Sequence, residues 1–238
     1  MASENLSLSA QAGTLYVVAT PIGNLADVSE RAIGILRTAA LVACEDTRTT
    51  RILLDKYAAK PPVVAYHEHN ERTMAMELAD RLAAGESIAL VSDAGTPALS
   101  DPGFRLVREC RRRGLPVIPV PGASALTALL SVAGLPTDAF FYAGFLDPRS
   151  AARRTFLQQH REFPHTIALY ESCHRIAALV EEIEVLLGGT RVIALGKELT
   201  KFHETILVGP VAEVRAKLAK LPIKGEFTVL IAPASFSL

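Results

Sequence analysis

The sequence predicts two α/β domains, with a mostly parallel five-stranded sheet in the N-terminal domain and a mixed sheet in the C-terminal one. Short, continuous apolar runs alternate with helical patterns through the first half, as in a parallel sheet covered on both faces. After Gly134-Leu135-Pro136 the pattern changes. The last apolar runs have spacers too short for crossover helices, so some of those strands pair antiparallel. With 238 residues, half of them hydrophobic, the chain can fill two cores of modest size, since domains typically run to roughly 100–150 residues. The boundaries read as a loose tail over 1–13, a first domain over 14–134 and a second over 135–238.

The elements follow in order. Leu15–Ala19 is a β-rich apolar run and Ser29–Ala39 a helix; Leu41–Cys44 is the next strand, followed by a helix from Thr47 to about Tyr57. Val63–Ala65 is the third strand. Asn70 reads as the cap of a helix in which Met74, Leu78 and Leu82 recur every fourth residue, and Gly85 ends it. Ile88–Val91 is the fourth strand. Asp101-Pro102 reads as N-cap and first helical position of a helix through Arg111. Val117–Val120 is the fifth strand, and Ser124 opens an apolar helix to Ala133. The second domain has strands at Phe140–Phe145, Thr166–Tyr170, Val192–Leu195, Thr205–Val208 and Phe227–Ile231, with helices near Ala151–Gln159, His174–Leu187 and Val211–Leu218.

Charge and composition exclude several classes. The 25 basic and 25 acidic residues cancel, so no global field draws the protein to nucleic acid or membrane, and a polyanionic partner must meet a local basic patch. Cys44, Cys110 and Cys173 lack metal spacing and read as free thiols in a reducing compartment. The stretch from Gly114 to Thr137 carries no charge, but Pro116, Pro119, Pro121 and Pro136 break it. A buried strand and helix explain it better than a membrane span. Met1 to Gly13 has neither the basic nor the apolar segment of a signal peptide, and a cytoplasmic location is expected.

In open parallel sheets, ligands bind beyond the carboxyl ends of the strands. Those ends read Thr20-Pro21-Ile22-Gly23-Asn24, Glu45-Asp46-Thr47-Arg48, Tyr66-His67-Glu68-His69-Asn70, Ser92-Asp93-Ala94-Gly95-Thr96-Pro97 and Pro121-Gly122-Ala123-Ser124. Polar, Gly and Pro residues gather on one edge, which is where a site is expected. Asp46 or Thr47, Asn70 and Ser124 read equally well as plain N-caps. His67-Glu68-His69 is weak ligand spacing, so no metal is expected. In the Ser92–Pro97 loop, a buried strand running into an acid and then Gly and Pro brings backbone close to a ligand and leaves a carboxylate for hydroxyls or a cation. There is no GxxxxGK[ST], and no GxGxxG follows the first strand, so the P-loop and dinucleotide fingerprints fail.

The strings Leu15–Asp27, Cys44–Arg48, Tyr66–Asn70, Val91–Pro97 with Ser100–Gly103, Pro121–Ser124, Gly144–Leu146, Tyr170–Arg175 and Lys197–Lys201 resemble, in order and over nearly the whole chain, the ribosomal RNA 2′-O-ribose methyltransferases of the tetrapyrrole-methylase-like superfamily. The resemblance implies a homodimer of two-domain subunits and S-adenosylmethionine in the cleft between domains. It also implies 2′-O-methylation of a cytidine in the decoding region of small-subunit (16S) RNA, free or in the assembled 30S subunit. Cofactor contacts carry over to Pro21, Ile22 and Gly23, to Ser92, Asp93, Ala94, Gly95 and Thr96, to Ser124 and Ala125, and to Tyr170. Relatives acting on tetrapyrroles or diphthine tend to have Gly-Asp-Pro at the fourth strand end, which favours the RNA branch. Some members continue past the last strand, whereas this sequence stops at Leu238, so any RNA contact made there would be replaced or absent.

A ribose hydroxyl is a poor nucleophile, so a base or a stabiliser of developing charge is expected. Glu45, Asp46, His67, Glu68, Glu171 and Glu198 are the candidate bases, with Lys197 and Lys201 as charge stabilisers. Arg149, Arg153 and Arg154, with Lys201, are the expected RNA contacts; a solvated helix face is the alternative for the arginines. A small-molecule methylase and a noncatalytic adenosine-ligand or RNA-binding module are the rival functions.

Overall fold

In a computed structural model, which describes residues 8–238, the chain forms two compact units, one ending at Ser124 and the other spanning Ala125–Leu238. The sequence-based boundary lies ten residues further on, after Gly134. The helix Ala125–Val132 packs on strands of the second sheet, which is why it groups with them.

The first unit contains β1 (Leu15–Val18), β2 (Leu41–Cys44), β3 (Val63–Ala65), β4 (Ile88–Val91) and β5 (Val117–Val120), ordered β3-β2-β4-β1-β5 with every pairing parallel. Helices α1 (Glu30–Thr38), α2 (Thr47–Lys56), α3 (Glu71–Ala83) and α4 (Phe104–Arg112) connect them. Alternate strand residues feed two cores. Val42, Cys44, Ala89 and Val91 pack with Ile35, Leu53 and Leu54, whereas Leu41, Ala43, Ile88 and Leu90 pack with Leu78, Leu82 and Leu106. Burial on both faces explains why β2 and β4 are apolar at every position. Pro119 is tolerated because β5 is an edge strand.

Three expectations need correction. The part of the tail before Leu8 lies outside the described residues. From Ala10 onward the tail is pinned: Ala10 N donates to Thr38 Oγ1 (2.8 Å), Gln11 N to the Tyr16 hydroxyl (2.9 Å) and Gly13 N to Gly85 O (3.1 Å). Asn70 occupies the N-cap position of α3 but makes no side-chain cap; its Oδ1 accepts from His67 N (2.9 Å) and its Nδ2 donates to Ala65 O (3.0 Å), closing the preceding loop. Finally, α4 begins at Phe104 rather than after Asp101. Gly103 has φ +148° and packs against Ala98 and Leu90, where a side chain would crowd. The buried Tyr66 hydroxyl caps the helix by accepting from Leu106 N (3.2 Å).

The second unit contains α5 (Ala125–Val132), β6 (Phe140–Phe145), α6 (Ser150–Gln159), β7 (Thr166–Ser172), α7 (Ile176–Leu187), β8 (Val192–Lys197), β9 (Thr205–Pro210), α8 (Val211–Leu218) and β10 (Glu226–Ile231). The sheet order is β6-β7-β10-β8-β9, with β6 and β7 parallel and β10 antiparallel to both neighbours. The expected mixed sheet is therefore present. One face carries the main core, in which Leu169, Leu195, Phe227 and Val229 meet α7 and α8.

Arg153 departs from the expected RNA-facing role. It is 4% exposed, donates from Nε (2.9 Å) and Nη2 (2.8 Å) to the Glu182 carboxylate, and reaches Pro148 O from Nη1. It clamps α6 to α7 and is not available to a phosphate. Arg153→Ala should leave Glu182 buried and unmatched, costing about 3–5 kcal/mol. The double variant Arg153→Met with Glu182→Leu should recover most of that loss. Urea unfolding of both variants checks the prediction; a single variant as stable as the parent would refute the clamp.

Candidate functional site

The rim at the carboxyl ends of β1, β2, β4 and β5 is tied together by named bonds. Thr20 N donates to Gly95 O (2.8 Å) and Gly95 N to Thr20 O (3.1 Å), an isolated antiparallel bridge between the loops after β1 and β4. The buried Thr20 hydroxyl adds a bond to Ser92 O (3.1 Å). Gly95 has φ +80°, and a Cβ there would lie 3.3 Å from Ile22 Cγ2, so both backbone and space call for glycine. Thr96 Oγ1 donates to Ala123 O (3.2 Å), bringing in the loop after β5. Asp46 N donates to Asp93 Oδ1 (3.0 Å), bringing in the loop after β2. Among the residues expected to hold cofactor, Pro21, Ile22, Ser92 and Gly95 are buried, while Gly23, Asp93 and Ala94 are exposed.

This rim is acidic. Burial, and then the carboxylates of Asp101, Asp93, Glu68 and Asp46, push the Glu45 carboxyl above the usual carboxylate range. Asp93, though exposed as a residue, is also raised, foremost by partial desolvation of its carboxyl; the Asp46 N–H opposes the shift and the Asp46 charge adds to it. Asp46 goes the other way. Its side chain caps α2 by accepting from Arg48 N (2.8 Å) and pairs with the Arg48 guanidinium (2.6 Å), which hold it down at about 2. Asp46 is therefore an N-cap and a poor base. Glu68 and His69 are largely solvent-exposed and pair loosely at 3.4 Å. His67 Nδ1 and Ser92 Oγ are buried without a hydrogen-bond partner among the described residues. Two contributors carry no site role in the sequence reading: Thr20, which locks the bridge, and Asp101, read there as a cap, whose charge raises Glu45. The Ser100–Gly103 string was the signal for the latter.

The second unit places its candidates differently. The Tyr170 hydroxyl accepts from Leu126 N (3.2 Å), next to Ala125, and its ring meets Tyr142 and Phe145 with centroids 5.4 and 5.7 Å apart. Glu171 is 1% exposed; its Oε1 accepts from Ser172 N (2.7 Å) and Arg175 Nε (2.8 Å), while Oε2 has no partner among the described residues. Glu198 Oε1 accepts from Lys201 Nζ and Glu226 N, both at 3.0 Å. Burial raises the Glu198 carboxyl, but these bonds and the Lys201 and Lys197 charges bring it below its ordinary value. Its carboxylate fills the space a Cβ on Gly225 would need. Lys201 also pairs with Glu226, and Arg149 pairs with Asp147 (2.8 Å). Of the four expected RNA contacts, Arg154 alone has no ion pair among the described residues.

The sequence profile described as Tetrapyrrole (Corrin/Porphyrin) Methylases matches residues 14–215. The chain is similar to the Ribosomal RNA small subunit methyltransferase I of Xylella fastidiosa, at 48% identity over 225 residues, covering 94% of this chain and 82% of that protein. The Pseudomonas aeruginosa protein of the same name is 48% identical over 223 residues, covering 93% of this chain and 79% of that protein. Among solved structures, a diphthine synthase superimposes with TM-score 0.70 at 16% identity, covering 92% of this chain and 90% of that one. A Thermus thermophilus uroporphyrin-III C-methyl transferase complexed with S-adenyl homocysteine gives 0.62 at 18% identity, covering 91% and 96%. At such identities these structures establish a shared fold.

The raised Glu45 carboxyl has a consequence for stability. The folded state holds its proton to higher pH than the unfolded chain does, so the strain is absent below the unfolded value and grows as pH rises through the folded one. Glu45→Gln should therefore raise the melting temperature near pH 8 and leave it unchanged near pH 4. Thermal scans at both pH values check this; an equal shift at both would count against the carboxylate cluster.

Proposed function

The chain belongs to the tetrapyrrole (corrin/porphyrin) methylase family, grouping with proteins named Ribosomal RNA small subunit methyltransferase I, and from that membership we propose that it transfers a methyl group from S-adenosylmethionine to a ribose 2′-hydroxyl of small-subunit ribosomal RNA. The acceptor is a cytidine of the decoding region, and the working unit is a homodimer. The observation that carries the reading is the 48% identity sustained over 94% of the chain. Sedimentation as a monomer at working concentrations would remove the homodimer from the reading.

The rim of the first unit suits the cofactor. Three features fit: a Gly95 that lets backbone approach closely, a buried Ser92 Oγ without a partner, and carboxylates matched to a cation. Ser92, Asp93 and Thr96 would hold it with the Pro21–Gly23 turn, and Ser124, Ala125 and Tyr170 are assigned with them by family likeness. When bound, the cofactor supplies an activated methyl group on a sulfonium.

What the chain's own residues do is hold and orient. The Thr20–Gly95 bridge fixes the Asp93 loop so that its carboxylate is presented without reorganisation, and alignment of reacting groups can supply on the order of 7–11 kcal/mol. Glu45 is the rim carboxyl best suited to accept a proton, because burial and then its acidic neighbours raise its affinity for one. Asp46, held low by Arg48, instead orients Asp93 through its own N–H.

Asp93→Ala should weaken cofactor binding by on the order of tenfold, the value of a charge-assisted hydrogen bond. Titration calorimetry giving the parent affinity would take Asp93 out of the site. In cells lacking the protein, ribose-methylation mapping should show one small-subunit cytidine without its methyl group. A map identical to that of the parent would end the RNA reading.

A further inference from the structure

The expected basic surface is largely neutralised, which leaves open how the second unit would hold RNA. Lys197 closes β8 and is only 5% exposed, yet it makes no hydrogen bond or ion pair among the described residues. Glu198 senses its charge, but the Glu198 carboxylate is bonded to Lys201 and to Glu226 N. Its Nζ is not fully enclosed, so an anion can reach the ammonium.

A second cation is tied to the same sheet face through Glu171. Phe227 pairs with Glu171 on one side and with Lys197 on the other, so the three side chains share one sheet face. Two strand spacings separate Glu171 from Lys197, about 10 Å at the backbone, with the buried Phe227 between them. Glu171, with its side chain fully enclosed, holds Arg175 by Nε at 2.8 Å. The two Nη groups of Arg175 have no partner among the described residues. Arg175 matches the Glu171 charge, and Glu198, the carboxylate that senses Lys197, is bonded to Lys201 instead, which leaves Lys197 without a direct partner among the described residues.

We propose that Lys197 and Arg175 form a seat for an anionic oxygen group, a phosphodiester of the RNA substrate, with Glu171 acting as the positioning residue that orients Arg175 rather than as a base. The inference rests on the RNA-methylation reading above. A guanidinium held at one edge presents its other edge preorganised for a phosphate, and the lysine adds a point charge. The same chemistry would suit the carboxylate of the cofactor's methionine part, so the test separates the two sources.

Binding of unmethylated small-subunit RNA transcript, and of assembled small subunits, is measured against salt for the parent, Lys197→Met, Lys197→Gln and Arg175→Lys, with cofactor affinity measured in parallel. Each variant should bind RNA on the order of tenfold more weakly. For the two Lys197 variants the log–log salt slope should also be shallower by about 0.9. Cofactor affinity should stay unchanged, and Lys197→Met should melt no lower than the parent, a result that a merely structural lysine would not give. Parent-like RNA affinity and slope in the variants would overturn the seat while leaving the methylation reading standing. Loss of cofactor affinity with RNA binding intact would assign the seat to the cofactor and overturn it as an RNA contact. A parent protein that binds neither RNA nor subunits would overturn both.

Discussion

The reciprocal pair of hydrogen bonds between Thr20 and Gly95 is the constraint on which the candidate site depends. A parallel sheet sends every strand's carboxyl end to one edge, but the loops there are free to splay unless something ties them. This bridge ties the loops after β1 and β4, adjacent in the sheet, and the Thr20 hydroxyl reinforces it through Ser92 O. Asp46 and Thr96 then attach the neighbouring loops on either side. Gly95 makes the arrangement possible, because a side chain there would meet Ile22 at a strained backbone angle. The rim is thus preorganised by backbone, and its side chains are left available for a ligand.

The strands and the acidic rim were legible in the sequence because they follow from patterns of two kinds. Buried parallel strands must be continuously apolar, so β2 and β4 could be read directly as Leu41–Cys44 and Ile88–Val91. Chain direction in a parallel sheet places Glu45, Glu68 and Asp93 on the same edge. Helix starts were less legible, since they depend on which partner takes the free N–H groups. Asp101 and Asn70 have capping side chains, yet Tyr66, distant in sequence, caps α4, and Asn70 is spent on its own loop. Capping preference is local, and tertiary partners overrode it.

Arg153 departs from the sequence reading for a related reason. Three arginines within six positions look like a cationic face, but α6 must bury one side against α7, and Arg153 falls on that side opposite Glu182. A buried ion pair of this kind does not add greatly to stability over an apolar pair of the same shape. Exposed charge elsewhere is similarly matched, Arg149 by Asp147 and Arg215 by Glu181 and Glu184. The neutral net charge therefore reflects local pairing, and surface basicity is a poor guide to where a polyanion would sit.

This pairing makes the exceptions informative. In a chain that matches so many of its cations within hydrogen-bond distance, a lysine shielded to 5% exposure without a partner departs from the pattern. The two units also divide the labour of charge. The first gathers carboxylates at its strand ends, where desolvation first and neighbouring charge second raise Glu45 and Asp93, an environment that attracts a cation and repels phosphate. In the second, at the carboxyl ends of β7 and β8, Arg175 matches Glu171 and Lys201 is shared by Glu198 and Glu226, while Lys197 is left without a direct partner among the described residues. On the proposed reading the donor is a cation and the acceptor a polyanion, so the two need local fields of opposite sign. A protein of zero net charge can therefore recognise both by the sign of the local field.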